Sequence, residues 1–91
     1  MNNDRRKELK KIIKKFESLK ETLQDIKIDV DWAYDEENDA YESMPEGLQN
    51  SSKGETIEEN LTDLDWVRDD IFHFINSVDT WIENYNNVIE R

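Results

Sequence analysis

The sequence has no cysteine, two glycines, one proline and no apolar run near the eighteen or so residues that span a membrane. Without cysteine, no disulfide can brace a chain of 91 residues, a length at which a single core gives marginal stability. So little Gly and Pro speaks against a turn-rich β-sandwich. The start, "MNNDRRKELKKIIKKF", lacks the continuous apolar stretch and small-residue cleavage site of a secretory signal, so a cytoplasmic location is expected.

Positive charge is scarce after the first third of the chain. Residues 1–27 carry nine of the twelve Lys and Arg against five acids, whereas residues 28–91 carry eighteen acids against Lys53, Arg68 and Arg91. The net charge of −11 is therefore +4 followed by −15. A region that acidic repels nucleic acid and anionic membrane and is drawn to basic protein surfaces.

A regular apolar period is present, and it argues against disorder. Leu9, Ile12, Phe16, Leu19, Leu23, Ile26, Val30, Ala33, Glu37, Ala40 and Met44 follow one another in alternating steps of three and four, which predicts a helix over about residues 3–43. Asn3 or Asp4 is the expected cap. Pro45 and Gly47 break the pattern in a connection over about 44–54, where Ser52 to Glu55 or Thr56 to Glu59 fits a capping box. A second helix over about 55–88 repeats the spacing with Leu64, Val67, Ile71, Phe74, Val78, Trp81, Tyr85 and Val88, widened by Leu61, Ile75, Ile82 and Ile89.

The expected fold is all-α, a single-domain antiparallel hairpin. Only Glu37 and Arg68 interrupt their apolar stripes, and letting them meet sets a register with Phe16 opposite Ile89, Leu19 opposite Tyr85 and Ile26 opposite Val78. In that register the first helix overhangs the second. Leu9, Ile12, Ile13, Val67, Phe74, Trp81 and Val88 remain uncovered, a face expected to build a four-helix bundle with a second copy or to hold a partner protein.

No catalytic constellation is recognisable, and no enzymatic activity or cofactor is expected. His73 is the sole histidine, inward-facing Glu-x-x-His pairs are absent, and the acids after Asp29 lack the spacing of a calcium loop. The basic stretch "RRKELKKIIKK" is read first as complementing the negative C-terminal end of the second helix, the alternative being a second binding site of the kind a nucleic-acid or membrane-surface helix offers.

The candidate site is acidic. "DVDWAYDEENDAYE" carries Asp29, Asp31, Asp35, Glu36, Glu37, Asp39 and Glu42, and the second helix opens with Glu55, Glu58, Glu59, Asp63, Asp65, Asp69 and Asp70. If these fourteen carboxylates shared an axial length of about 24 Å, the spacing would be one charge per roughly 1.7 Å, the linear density of duplex DNA. Trp32 and Trp66 lie among them, off the main stripes, as candidate contact anchors. The expected partner is a protein with a basic nucleic-acid-binding surface, with no direct contact to nucleic acid or membrane.

The segment "AYESMPEGLQNSSKGETIEENLTDLDWVRDDI" resembles small acidic helical proteins encoded by phages and prophages of low-GC Gram-positive bacteria. The resemblance rests on Tyr41, Ser43, Met44, Pro45, Glu46, Leu48, Gln49, Ser51, Gly54 and Glu55, covers the central third of the chain closely, and carries no catalytic assignment. It implies a phage setting and the host bacterial cytoplasm, where small acidic proteins often block host nucleases. A DNA mimic acting against a CRISPR or restriction nuclease is the expectation from charge and resemblance together. The alternative is a helical scaffold or assembly protein that holds a partner helix on its apolar face.

Overall fold

The computed structural model describes residues 1–91 as an all-α hairpin of two long helices and one short one: α1 (Asn3–Glu42), α2 (Glu46–Gln49) and α3 (Ser52–Glu90). It is a rod 69 Å long and 15 by 14 Å in section. The helix starts differ slightly from expectation. Asn2 caps α1, its side-chain oxygen accepting the Arg5 N–H at 2.8 Å, so neither Asn3 nor Asp4 is the cap. Ser51 caps α3 by accepting the Gly54 N–H, and neither proposed capping box is used.

The connection is structured rather than loose. Pro45 opens α2, and its carbonyl accepts from the Leu48 and Gln49 N–H groups at 2.8 and 3.1 Å. The Gln49 side-chain amide donates to the carbonyls of Tyr41 and Met44 at 3.1 and 3.3 Å, tying the short helix to the end of α1. Gly54 is buried against this turn: a Cβ there would stand 2.1 Å from the Gln49 carbonyl oxygen. Close approach of α3 to the turn, rather than an unusual backbone angle, makes glycine necessary.

Burial follows a seven-residue repeat. On α1 the shielded positions include the seam Leu9, Ile13, Phe16, Lys20, Leu23, Lys27, Val30, Tyr34, Glu37 and Tyr41, with Arg6, Ile12, Asp31, Ala33 and Asn38 half-buried as well. On α3 the seam is Gly54, Ile57, Leu61, Leu64, Arg68, Ile71, Ile75, Val78, Ile82, Tyr85 and Ile89, with Val88 half-buried beside it. The period matches the expectation, but α1 is rotated: Leu19 and Ile26, expected to face the second helix, are 38 and 42% exposed. On α3, Val67, Phe74 and Trp81 are exposed, as the expected register left them. Lys20, Lys27, Tyr34 and Tyr41 take seam positions on α1 instead. Their stems and rings cover apolar surface while their heads reach outward, Lys20 to Asp79 at 2.7 Å and the Tyr41 hydroxyl to Glu58 at 2.5 Å.

The register also differs from expectation, by about one heptad. Arg68 meets Asp31 and Tyr34, and Asn60 donates to Glu37 at 3.1 Å. No ion pair joins Glu37 to Arg68, so the expected register pair is corrected. The overhang is corrected with it, because Arg6 Nε donates to the Ile89 carbonyl at 3.2 Å and Ile13 is only 7% exposed. Two physical terms outweigh a single charge pair. Full overlap covers an additional heptad of apolar side chains, and the tight turn leaves no slack for α3 to start beyond the end of α1. The Arg6 contact also places a cation on one of the last open carbonyls of α3, as the basic N-terminal stretch suggested.

Candidate functional site

The observed register brings the two acidic segments level, more closely than the expected one. Contacts from Tyr41 to Glu58, Asn60 to Glu37 and Arg68 to Asp31 lay residues 55–70 of α3 directly along residues 29–42 of α1. The hinge half of the rod, residues 24–74, holds sixteen acids against Lys27, Lys53 and Arg68, a net charge of −13.

The carboxylates are distributed around the rod. Seam geometry places Asp31, Glu58 and Asp65 along one flank of the α1–α3 contact, with Asp35, Glu42, Glu55 and Asp69 beside them farther from the seam. Asp29, Glu36, Asp63 and Asp70 border the opposite flank. Asp39 and Glu59 lie on the outer backs of α1 and α3, as do Trp32 and Trp66, which are 67 and 69% exposed. The two indoles thus point to opposite sides of the hairpin and are not brought into one contact patch.

Few of these charges are neutralised within the chain. Asp31 accepts from Lys27 Nζ at 3.2 Å through Oδ2, while its Oδ1 is shielded from solvent, has no hydrogen-bond partner and lies 3.8 Å from Arg68 Nε. Asp65 takes the Arg68 guanidinium at 2.5 Å, a hydrogen bond that raises the Arg68 pKa further above its ordinary value against an opposing effect of desolvation. No other member of the acidic set forms an ion pair with Lys or Arg. No three acidic or histidine side chains converge closely enough to hold a metal ion.

Three polar contributors were not anticipated from sequence: Tyr34, which lies beneath Arg68, Tyr41 and Asn60. The signal for both tyrosines was their seven-residue spacing from Ile13, Lys20 and Lys27. The apolar face expected to be free is partly reassigned too. Val67, Phe74 and Trp81 are exposed, Ile12 and Val88 are half-buried at its edge, Leu9 is half-buried in the seam, and Ile13 belongs to the core.

Comparison with protein-family models, with curated proteins and with solved structures returned no match. No helix is long and apolar enough to cross a membrane.

Proposed function

We propose that this protein is a non-enzymatic, phage-type inhibitor whose acidic hinge half stands in for a nucleic-acid backbone and occupies the basic cleft of a host defence nuclease, of the CRISPR or restriction kind. One observation carries this reading. Fourteen carboxylates lie on two level helical segments about 24 Å long, with Arg68 the only Lys or Arg inside either segment. That density approaches the charge per length of duplex DNA. A basic cleft attracts such a rod through its long-range field, which depends on average charge rather than on phosphate geometry. Association should weaken with added salt.

The test is capture from a nuclease-treated bacterial lysate on immobilised protein, followed by elution with salt and, separately, with duplex DNA. The parent should retain nucleic-acid-binding proteins that both eluents release. A variant carrying Asp35→Lys, Asp39→Lys, Glu55→Lys and Asp69→Lys should not.

The exposed side chains of Val67, Phe74 and Trp81 favour a second reading, a scaffold that holds a partner helix, with acidity serving only solubility. In that case the charge-reversed variant would capture the same proteins as the parent.

A further inference from the structure

Ile12, Leu19, Ile26, Ala33 and Ala40 each stand one residue before a seam position of α1, and Asn60, Val67, Phe74, Trp81 and Val88 stand one residue before a seam position of α3. In an antiparallel pair, such equivalent positions fall on the same flank of the contact. The two stripes therefore form one face, level by level: Ile12 with Val88, Leu19 with Trp81, Ile26 with Phe74, Ala33 with Val67, Ala40 with Asn60. Aromatic contacts from Trp81 to Phe16 at 5.7 Å and to Phe74 at 5.8 Å hold the middle of this face together. The interhelical ion pairs, by contrast, run along the other flank, from Lys20 to Asp79 and from Arg68 to Asp31.

This face tapers. Large side chains occupy it from the open end of the hairpin to its middle, and Ala33, Ala40 and Asn60 occupy the hinge end. The charge bordering it is graded in the same direction. Lys15 and Arg91 flank the open end, together with Glu8, which is paired to Lys11, while Asp29, Glu36, Asp63 and Asp70 flank the hinge end. The open half of the rod, residues 1–23 and 75–91, holds nine Lys and Arg against seven acids, so the hairpin is a long electrostatic dipole.

We propose that a second copy of this chain covers the face, running in the opposite direction, so that the hinge of each hairpin lies beside the open end of the other in a two-fold four-helix bundle. With the axis at the level of Ile26 and Phe74, Leu19 and Trp81 meet the partner's Ala33 and Val67, and Ile12 and Val88 meet the partner's Ala40 and Asn60. Ile26 and Phe74 pack on their own copies at the axis, large packs on smaller at the levels on either side, and Lys15 and Arg91 approach the partner's hinge-end acids. A same-direction pairing would set α1 against the partner's α3, oppose Leu19 to Trp81 and Ile12 to Val88, large to large, and hold two −13 halves within about a Debye length of each other. The face is about 42 Å long, from twenty-eight residues of rise, and about 15 Å wide. Two copies would bury roughly 1,200 Å², the lower range of stable interfaces. A lone hairpin needs such cover, since only five of its 91 residues are buried. The acids on the other flank, including Asp35, Glu58 and Asp69, stay outward, so the assembly does not depend on the proposed function.

The absence of cysteine makes the orientation directly measurable. A single spin label on Lys11→Cys, an exposed position, should give a label-to-label distance of about 45 Å by pulsed dipolar spectroscopy, thirty residues of rise apart. Light scattering of the parent should give twice 10.9 kDa. Phe74→Glu, and independently Val67→Glu, should give the monomer mass with unchanged helical circular dichroism, because both side chains are exposed in the hairpin. A monomeric parent, a label distance under about 30 Å, or dimers that persist in both folded variants would overturn the proposal.

Discussion

The Arg68 guanidinium carbon lies 4.3 Å from the centre of the Tyr34 ring, across the contact between α1 and α3. Arg68 side-chain exposure is 31%, so part of this cation–π contact is desolvated, and it pins the helices about one heptad away from the pairing that would set Arg68 against Glu37. A double-mutant cycle between Tyr34→Ala and Arg68→Ala should give a coupling of about 0.5–1 kcal/mol by denaturant unfolding. The cycle between Glu37→Ala and Arg68→Ala should give none. Both are measured at one fixed protein concentration, because self-association of the kind proposed would make stability depend on it.

Gly54→Ala should destabilise the hairpin by about 1–3 kcal/mol, a cost typical of overpacking. The added methyl would collide with backbone atoms of Gln49, which cannot swing away as a side-chain tip could. Gly47→Ala meets nothing within 4 Å and should be close to neutral. Thermal unfolding of the two variants separates a turn closed by packing from one that merely tolerates glycine.

The Tyr41 hydrogen bond to Glu58, with partial desolvation and the Glu58 charge, raises the tyrosine pKa above its ordinary value. Folded protein therefore holds the phenolic proton at pH values where the unfolded chain has lost it. The stabilisation is complete below about pH 10 and is lost as pH rises through the raised folded value. The effect is small because Tyr41 is solvent-accessible at its hydroxyl. Tyr41→Phe should flatten this alkaline decline in stability relative to the parent, measured by denaturant unfolding across pH 9–11.

Helix boundaries, the hairpin and the seven-residue period were legible because each rests on local spacing. Register was not, for a reason inherent in the repeat: a heptad pattern matches itself again after seven residues, so apolar positions alone do not distinguish neighbouring registers. Glu37 and Arg68 looked like the tie-breaker, yet each finds a nearer partner, Asn60 and Asp65 respectively. The rotation of α1 was hidden for a related reason. Lys20 and Lys27 read as surface residues by composition, but their long stems cover the seam and free Leu19 and Ile26 for the second face. The acidic segments were legible as charge. That they lie level follows only from the register.

The most direct test of the acidic-surface account is a competition measurement on the nucleic-acid-binding protein recovered by capture. Fluorescence anisotropy of a labelled DNA duplex bound to that protein is followed as the acidic chain is added, at two salt concentrations. In both salts the account predicts that the parent displaces whatever duplex is bound, and that the variant reversed at Asp35, Asp39, Glu55 and Asp69 displaces none. Duplex that stays bound at saturating parent, or displacement that the reversed variant reproduces, would contradict it.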